Sequence, residues 1–451
     1  MAAPKKKGRT SRAGSTKRSG AAPPTPSARA RAGKTPASKR ASAPSTRAKK
    51  VGAEPGRRGR ASVAGAARAL RLPPEPTGFA SPHRARIKRL ADLVGSAGGK
   101  GAAALLVTNP KDVGYLTGFL NGDSYLLVPA DPGADAVIIS DFRFQEELEP
   151  VRTGGIARVH IRKRSMLEAV TDVVGGSVRG PLAVQAEHVT VSLRQSLADK
   201  LSNGDASRLI DTTNLVGRLR AVKDELEIAL ITHAARIQEA ALLAVLPTIK
   251  PGQTELEIAG LLEAEMKSRG SSEPGFQSII AAGAHGSLPH YRPSGYRLEK
   301  NRPLLVDWGA VFQGYHSDMT RTFALGKWDP KIAEIYRIVL DAQEMAAAAL
   351  APGKTTTEID AIARQHIASH GYGEYYGHGL GHGMGLDGHE EPRLSNMLAA
   401  STLVPGQVVT VEPGIYLPGI GGVRIEDDYV ITATGAKNLC TLPKSMEWAS
   451  R

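Results

Sequence analysis

The C-terminal half of this 451-residue chain contains an internal repeat, and the repeat limits the folds that the chain can adopt. The segments PGQTELEI (251–258) and PGKTTTEI (352–359) share the pattern P-G-x-T-x-x-E-I with an offset of 101 residues. In each copy a threonine is followed three residues later by a glutamate, which predicts a capping box at the start of a helix. The predicted capping pairs are Thr254 with Glu257 and Thr355 with Glu358.

Each copy of the repeat lies between a longer helix and a β-hairpin. The first long helix is predicted at about 223–246 from its apolar periodicity. The second is predicted at about 330–350, with Asp329 as the N-cap and Pro330 in the first turn. Each copy then leads into two β-runs joined by a glycine-containing turn, which is typical of a hairpin. The sequence therefore predicts two helix–helix–hairpin halves packed face to face.

Two acidic residues flank the predicted turn of the first hairpin. Asp307 and Asp318 lie in LLVDWGAVFQGYHSDMTRTF, and their midpoint falls between Phe312 and Gln313. Residues at equal distances from a hairpin turn face each other across the strands, with Cβ atoms roughly 5 Å apart. The sequence therefore predicts that these carboxylates are direct cross-strand neighbours. Their charges repel unless a cation lies between them.

The second hairpin repeats this arrangement with Glu412 and Glu426, whose midpoint is Gly419. A fifth candidate ligand, His382, lies in YYGHGLGHGMGLDGHEEP, a run too rich in glycine for a stable helix. We expect a loop or an irregular strand there. One imidazole and four carboxylates suit two divalent cations, with manganese preferred and cobalt, iron or zinc as alternatives. The alternative is that the acids are solvated residues at strand ends.

The positive charge of the chain is concentrated in its N-terminal region. Residues 1–80 contain 20 Lys or Arg against two acids, a net +18, whereas the remaining residues contain 38 basic and 42 acidic residues, a net −4. No aromatic residue precedes Phe79, so this basic tail is expected to be disordered for lack of apolar surface to bury. Residues 1–77 either associate with nucleic acid or an anionic surface in a salt-dependent way, or form a solvated extension without a partner.

Two folded units are predicted after the tail, at 81–213 and 214–445. Strands alternating with helices indicate an α/β domain in the first unit. Its strands are predicted at 104–109, 125–130, 136–141 and 182–187, and its helices at 143–149, 166–174 and 190–201. No stretch approaches the ~20 apolar residues that span a bilayer, so no membrane contact is predicted. The single Cys440 is expected to be a small buried residue and fits the cytoplasm.

Six motifs in the second unit resemble those of the pita-bread metallopeptidases, in the branch of Xaa-Pro aminopeptidases and Xaa-Pro dipeptidases (prolidases). They are LPHYRP (288–293), VDWGA (306–310), HSDMTRT (316–322), HGLGHGMGLDGHE (378–390), VEPGIY (411–416) and VRIEDD (423–428). The resemblance implies an α+β chain, with a pita-bread catalytic domain after an α/β N-terminal domain and the basic tail. Methionine aminopeptidases share the ligand types but normally lack the preceding domain, and creatinase lacks the metal-ligand set.

The resemblance also implies a role for each metal-ligand candidate. Asp307 would bind one metal ion, and His382 and Glu412 would bind the other. Asp318 and Glu426 would bridge the two ions. A water or hydroxide between the ions would be the nucleophile, because two cations lower its pKa. Glu412 would also be the proton shuttle.

Three histidines and one arginine complete the implied site. His290, His378 and His389 match pocket-lining positions of the family, and His290 or His389 would donate to the oxyanion or hold the substrate carbonyl. For each histidine a structural role is the alternative. Arg424 lies two residues before Glu426, hence on the same strand face, and is expected to stabilise the carboxylate cluster.

The implied activity is hydrolysis of the bond between an N-terminal residue and a following proline. Short peptides with proline in the second position would be the substrates. The compact second unit favours an aminopeptidase, with a prolidase that acts only on dipeptides as the alternative. A third hypothesis is a binding protein that contacts nucleic acid through its tail, and the intact ligand set argues against this as the sole role. Family members are commonly dimers or tetramers, so a homo-oligomer is expected.

Overall fold

The computed structural model of the protein describes residues 72–96, 101–202 and 208–451. Residues 1–71, most of the predicted disordered tail, lie outside the described residues, as does most of the predicted nucleic-acid contact at 1–77. The last tail residues, 72–80, form no helix or strand. Leu72 nevertheless packs against the main hydrophobic core. At least one residue of the segment that was assigned to the tail therefore contacts the folded chain.

A six-stranded mixed sheet organises the first part of the described chain. Its strands are β1 (Ala104–Val107), β2 (Tyr125–Pro129), β3 (Val137–Ser140), β4 (Arg158–Ile161), β5 (Leu182–Gln185) and β6 (Leu209–Thr212), in the order β4-β3-β2-β1-β5-β6. The helices here are α1 (His83–Gly95), α2 (Pro110–Thr117), α3 (Glu149–Thr153), α4 (Met166–Ser177) and α5 (Val191–Ser202). The pairs β1–β2 and β2–β3 are antiparallel, and the others are parallel. We propose that the first unit ends after β6.

The four predicted strands of this sheet are present, but two strands and two helices had not been predicted. The unpredicted elements are α1, α2, β4 and β6. Strand β4 has exposed or half-buried residues at every position, so it lacks the apolar run by which a buried strand is identified. The helix predicted at 143–149 is wrong. A short 3-10 turn at Phe142–Phe144 comes first, and α3 begins at Glu149, where Pro150 fits the first helical turn.

The second part of the described chain contains the helix–helix–hairpin order twice. After α6 (Leu215–Arg220), the first half comprises α7 (Glu225–Val245), α8 (Glu255–Ser268), β7 (Ile279–Ala282), β8 (Pro303–Trp308), β9 (Val311–Phe312), β10 (Tyr315–His316) and β11 (Met319–Ala324). The second half comprises α9 (Pro330–Ala349), α10 (Thr356–Ser369), β12 (Gly381–Gly383), β13 (Glu390–Leu394), β14 (Val408–Val411), β15 (Gly414–Leu417), β16 (Gly421–Arg424) and β17 (Asp427–Ile431). Strand β18 (Ala436–Asn438) and α11 (Met446–Ala449) follow. Both predicted capping boxes are formed, and Asp329 caps α9. The predicted duplication is therefore confirmed.

Among the residues that the structure describes, one helical segment is long and apolar enough to cross a bilayer by length and composition. It is the segment 225–248, which comprises α7 and the turn after it. No segment of this length and apolar content had been predicted from the sequence. Within its apolar window, 67% of the segment is buried inside the protein. Ile231, Ala234 and Ile237 have no exposed surface at all. The apolar character of α7 is therefore accounted for by its place in the core.

A buried group of charges joins the two parts of the chain. Arg220, the last residue of α6, contacts Asp112 of α2 at 2.7 Å and also contacts Asp387 and Glu390. Lys223 lies 3.0 Å from Glu390 on its other side. Burial raises the pKa of Glu390, but the charges of Lys223 and Arg220 outweigh burial and hold that pKa below its ordinary value. The network therefore links α2 to the start of β13.

Glu390→Gln is expected to lower the free energy of unfolding by about 3 kcal/mol, because it leaves Arg220 and Lys223 buried with less compensating charge. Urea or thermal unfolding measures the change. The control is Glu391→Gln at the exposed neighbouring position, for which a change within about 0.5 kcal/mol is expected. Equal losses in the two variants would show that the buried network does not determine stability.

Candidate active site

The first hairpin turns one residue later than predicted. Its turn is formed by Gln313 and Gly314, whose φ angles are both positive, 48° and 84°, as a type I′ turn requires. The register of β8 and β11 places Thr320 opposite Asp307. The prediction that Asp307 and Asp318 are direct cross-strand neighbours is therefore wrong. A turn displaced by one residue moves each partner by two, so the two acids are diagonal neighbours that remain on one face.

The second hairpin has the predicted register. The ladder of β14 with β17 and the ladder of β15 with β16 are both centred on Gly419, and Glu412 and Glu426 occupy opposing positions between them. Neither residue belongs to either ladder, and their backbone amides donate hydrogen bonds to residues outside the hairpin. The amide of Glu412 donates to the Leu380 carbonyl at 2.8 Å, and that of Glu426 donates to the Thr320 carbonyl at 3.1 Å. The second of these bonds joins the two hairpins.

His382 lies on β12, an irregular strand with a register shift, as expected for this glycine-rich run. Its Nδ1 lies 3.0 Å from the carbonyl oxygen of Gly383. A carbonyl can only accept a hydrogen bond, so Nδ1 carries the proton and Nε2 presents a lone pair. The Nε2 atom lies 3.4 Å from Oε1 of Glu412 and 3.8 Å from Oδ2 of Asp318. The tautomer is therefore the one in which Nε2 can bind a metal.

The candidate ligands come together and leave oxygen atoms without donors. Ligand atoms of Asp318, His382 and Glu426, all buried, lie within 4.8 Å of one another. The Oδ1 atoms of Asp307 and Asp318 are buried and have no hydrogen-bond partner. A buried polar atom without a partner costs about 1–3 kcal/mol, and more if it is charged. A cation would satisfy both oxygens, so these residues fit a divalent metal site.

Burial shifts the pKa values of four of these groups toward their neutral forms: Asp318, His382, Glu412 and Glu426. It raises the pKa of Glu412 to about 8. Burial and the neighbouring carboxylates raise the pKa values of Asp318 and Glu426 well above the ordinary range. Burial lowers the pKa of His382 to about 3, so its imidazole is neutral at pH 7, as a metal ligand must be. These acids therefore repel one another when they are ionised, and either protons or cations relieve that repulsion.

Arg424 is a buried cation placed among these acids. Its guanidinium donates to Oδ2 of Asp307, and its Nε donates to the Thr320 hydroxyl at 3.0 Å. The Thr320 hydroxyl in turn donates to Oε2 of Glu426 at 2.6 Å. Arg424 therefore offsets part of the negative charge and connects the two hairpins through Thr320.

The three candidate histidines differ in their contacts. The ring of His389 stacks on that of His382, with centroids 3.9 Å apart. His378 has both ring nitrogens engaged. Its Nδ1 donates to the next residue's carbonyl at 2.8 Å, so its Nε2 accepts from the Tyr416 hydroxyl, also at 2.8 Å. His290 lies on the cavity wall and is exposed. Of the three, His389 and His290 are therefore the ones with ring atoms left for a ligand.

All nine predicted site residues line one cavity of about 490 Å³. They are Asp307, Asp318, His382, Glu412, Glu426, His290, His378, His389 and Arg424. Arg292 and Arg393 line the same wall and had not been predicted as site residues, although Arg292 lies within the motif LPHYRP. Neither arginine has an ion-pair partner among the described residues. Arg393 pairs with His382 across β12 and β13, a relation that only the strand register reveals.

The chain matches two protein families in consecutive ranges. Residues 229–433 match metallopeptidase family M24, and residues 86–222 match the creatinase/prolidase N-terminal domain. An uncharacterized peptidase of Bacillus subtilis strain 168 is 37% identical over 361 residues, which cover 80% of this chain and 99% of that protein.

Solved structures of similar proteins cover a similar share of the chain. The chain is 35% identical to a structure described as an Xaa-Pro dipeptidase from Bacillus anthracis, with a TM-score of 0.76, covering 80% of this chain and 98% of that one. It is 33% identical to an X-Pro aminopeptidase from Thermotoga maritima, with a TM-score of 0.71, covering 79% and 99% respectively. Together with the full-length relative, these matches show that the chain belongs to metallopeptidase family M24.

Proposed function

We propose that this chain is a dinuclear-metal exopeptidase that cleaves the bond before proline, and that Xaa-Pro dipeptides are its substrates. The position of Arg393 is the observation that best supports Xaa-Pro dipeptides as the substrates. Residues directly opposite in an antiparallel ladder project from the same face of the sheet, so Arg393 projects on the same side as its partner His382. A guanidinium without an ion pair on that side is suited to bind the free carboxylate of a bound dipeptide.

The proposed ligand assignment is the one that the family resemblance implies. Asp307 would hold one ion, and His382 and Glu412 would hold the other. Asp318 and Glu426 would be shared, and the closeness of both to His382 is compatible with this. Manganese is the preferred metal because oxygen ligands dominate the set. Two such ions would polarise the scissile carbonyl and lower the pKa of a bound water.

The protein residues around the ions supply proton transfer and orientation. Glu412 takes the proton of the attacking water and passes it to the proline nitrogen, which has no hydrogen of its own while it is part of the peptide bond. His389 and His290 donate to the substrate carbonyl or to the developing oxyanion. His378 has no free ring nitrogen, so its proposed role is to hold Tyr416, which also accepts a bond from Arg424 at 2.9 Å.

An Xaa-Pro aminopeptidase is the second candidate, as the compactness of the second unit had favoured. Leu288 and Leu398 are 51% and 56% exposed, and Leu398 lines the cavity. Exposed apolar side chains at a cavity rim can bind the residues of a longer peptide beyond proline. The similarity to the Thermotoga maritima X-Pro aminopeptidase also supports this candidate. The homo-oligomer, the cytoplasmic location and the association of residues 1–77 with nucleic acid remain predictions from the sequence.

Asp318→Ala and Glu426→Ala are each expected to remove both divalent ions and nearly all turnover, because each carboxylate is proposed to be shared. Metal analysis and hydrolysis of an Xaa-Pro dipeptide with added manganese measure the two effects. Asp341→Ala, an exposed acid on α9, is the matched control and should keep two ions and full turnover. Near-normal turnover in either site variant, with metal content halved or absent, would disprove the shared assignment.

Metal removal is expected to make stability depend on pH between about 7 and 9. The folded-state pKa of Glu412, about 8, lies above its unfolded value, so the folded state binds more protons in this range. The stability of the stripped protein is therefore lost as pH rises through 8, and saturating manganese should restore it. Thermal unfolding at pH 7 and pH 9, with EDTA or with manganese, measures both trends. A stripped protein that becomes more stable toward pH 9 would contradict the carboxylate cluster.

Arg393→Gln is expected to abolish the preference for a free proline carboxylate. A charge-assisted hydrogen bond is worth about 1.5–3 kcal/mol, so the wild type should prefer an Xaa-Pro dipeptide over the Xaa-Pro amide by roughly 10- to 150-fold in kcat/KM. The variant should cleave the two at similar rates. Arg292→Gln, which alters the other unpaired guanidinium, should keep the preference. The same preference in wild type and Arg393→Gln would favour the aminopeptidase.

A further inference from the structure

A buried carboxylate outside the metal-ligand cluster organises one wall of the cavity. Glu255, the first residue of α8, has no exposed surface and does not line the cavity. Its Oε1 accepts bonds from the Ala282 amide at 2.9 Å and from Nδ1 of His285 at 2.8 Å. Its Oε2 accepts from the Tyr291 hydroxyl at 2.8 Å, and from the amide and hydroxyl of Ser294 at 3.1 and 2.8 Å.

All of these hydrogen bonds come from one segment of the chain, residues 282–294, and they hold it in place. All the partners are donors, so an ionised carboxylate satisfies each of them, whereas the NH₂ group of a neutral amide would face donors. The ring of Tyr291 also stacks on that of His285, with centroids 4.4 Å apart. His290 and Arg292 lie within the fastened segment, and both line the cavity. The Glu255 carboxylate, which lies outside the cavity, therefore holds the segment that carries these two cavity-lining side chains.

The internal repeat indicates that α8 does not need this carboxylate to begin. Thr254 and Glu257 already form its capping box. Thr356 occupies the corresponding position in the second half, where it is equally buried and its hydroxyl accepts a bond from the Ser401 amide. A neutral side chain thus suffices at that position for the same type of helix. The carboxylate is needed only in the half that must hold the segment 282–294.

We propose that Glu255 is a positioning residue that sets the place of His290 and Arg292 against the bound peptide. The inference rests on the proposed peptidase function. Glu255 contacts neither the cavity nor a proposed metal ligand, so its loss moves the substrate-binding wall and leaves the ions in place. Small displacements of binding groups are costly because productive geometry has a narrow tolerance.

Glu255→Gln is the direct test, because it keeps the shape of the side chain and removes the charge. The expected result is a KM for an Xaa-Pro dipeptide about 10-fold higher, equivalent to the loss of one charged hydrogen bond, with unchanged metal content. The factor by which His290→Ala raises KM should be about fivefold smaller in the Glu255→Gln protein than in the wild type, because the effects of coupled residues are not additive. Glu257→Gln, in the same helical turn, is the control and should leave KM and metal content unchanged.

Ser294→Ala and hydrogen–deuterium exchange keep the test decisive if Glu255→Gln folds poorly or if activity is absent. Ser294→Ala removes one donor to Glu255 outside the cavity and should raise KM about threefold, less than Glu255→Gln does, because the other donors to the carboxylate remain. Amide exchange in 282–294 should be about tenfold faster in Glu255→Gln, with 378–389 unchanged.

Two results would overturn the positioning role. One is unchanged exchange in 282–294, and the other is wild-type KM without coupling to His290 in an otherwise active protein. A wild-type protein that cleaves no Xaa-Pro substrate would instead remove the proposed function. In that case the exchange measurement still decides whether Glu255 fixes the segment.

Discussion

Electrostatic repulsion among four carboxylates in one cavity is the constraint on which the rest of the structure depends. Asp307, Asp318, Glu412 and Glu426 lie on the wall of that cavity, and Arg424 offsets part of their charge. Burying unpaired charge costs several kcal/mol per ion, so a fold that gathers these acids is stable near neutral pH only with protons or cations among them. The fold brings the two hairpins together at this point, where the repulsion is greatest. This is the expected outcome if metal ions are part of the folded state.

The two halves share a fold but contribute different chemistry. The first half supplies two aspartates, and the second supplies two glutamates and the imidazole of His382. That imidazole can approach the acids because Gly381 packs against β14 so closely that a Cβ there would lie 2.1 Å from the Thr410 carbonyl. The first residue of the repeat helix also differs between the halves: it is Glu255 in α8 and Thr356 in α10. The two halves thus share a repeated frame, and the candidate ligands and the cavity wall come from positions at which the halves differ.

Features encoded by a few neighbouring residues could be predicted from the sequence, and features set by packing could not. The capping boxes are local, and the turn at Gly419, with φ 75°, is marked by a glycine at its centre. The turn of the first hairpin was misplaced because Gln313 adopts a positive φ, which side chains rarely do. The register of the second hairpin could be predicted with its acids, whereas that of the first could not. The hydrogen bonds of Tyr416 and the position of Arg393 depend on which strands pair, and no local pattern encodes that pairing.

The most direct test of the dinuclear site is anomalous diffraction from crystals of the protein grown with manganese. The account predicts two peaks in the cavity, both beside Asp318 and Glu426, with Asp307 at one peak and His382 and Glu412 at the other. A single peak, or two peaks that do not share the carboxylates of Asp318 and Glu426, would contradict it.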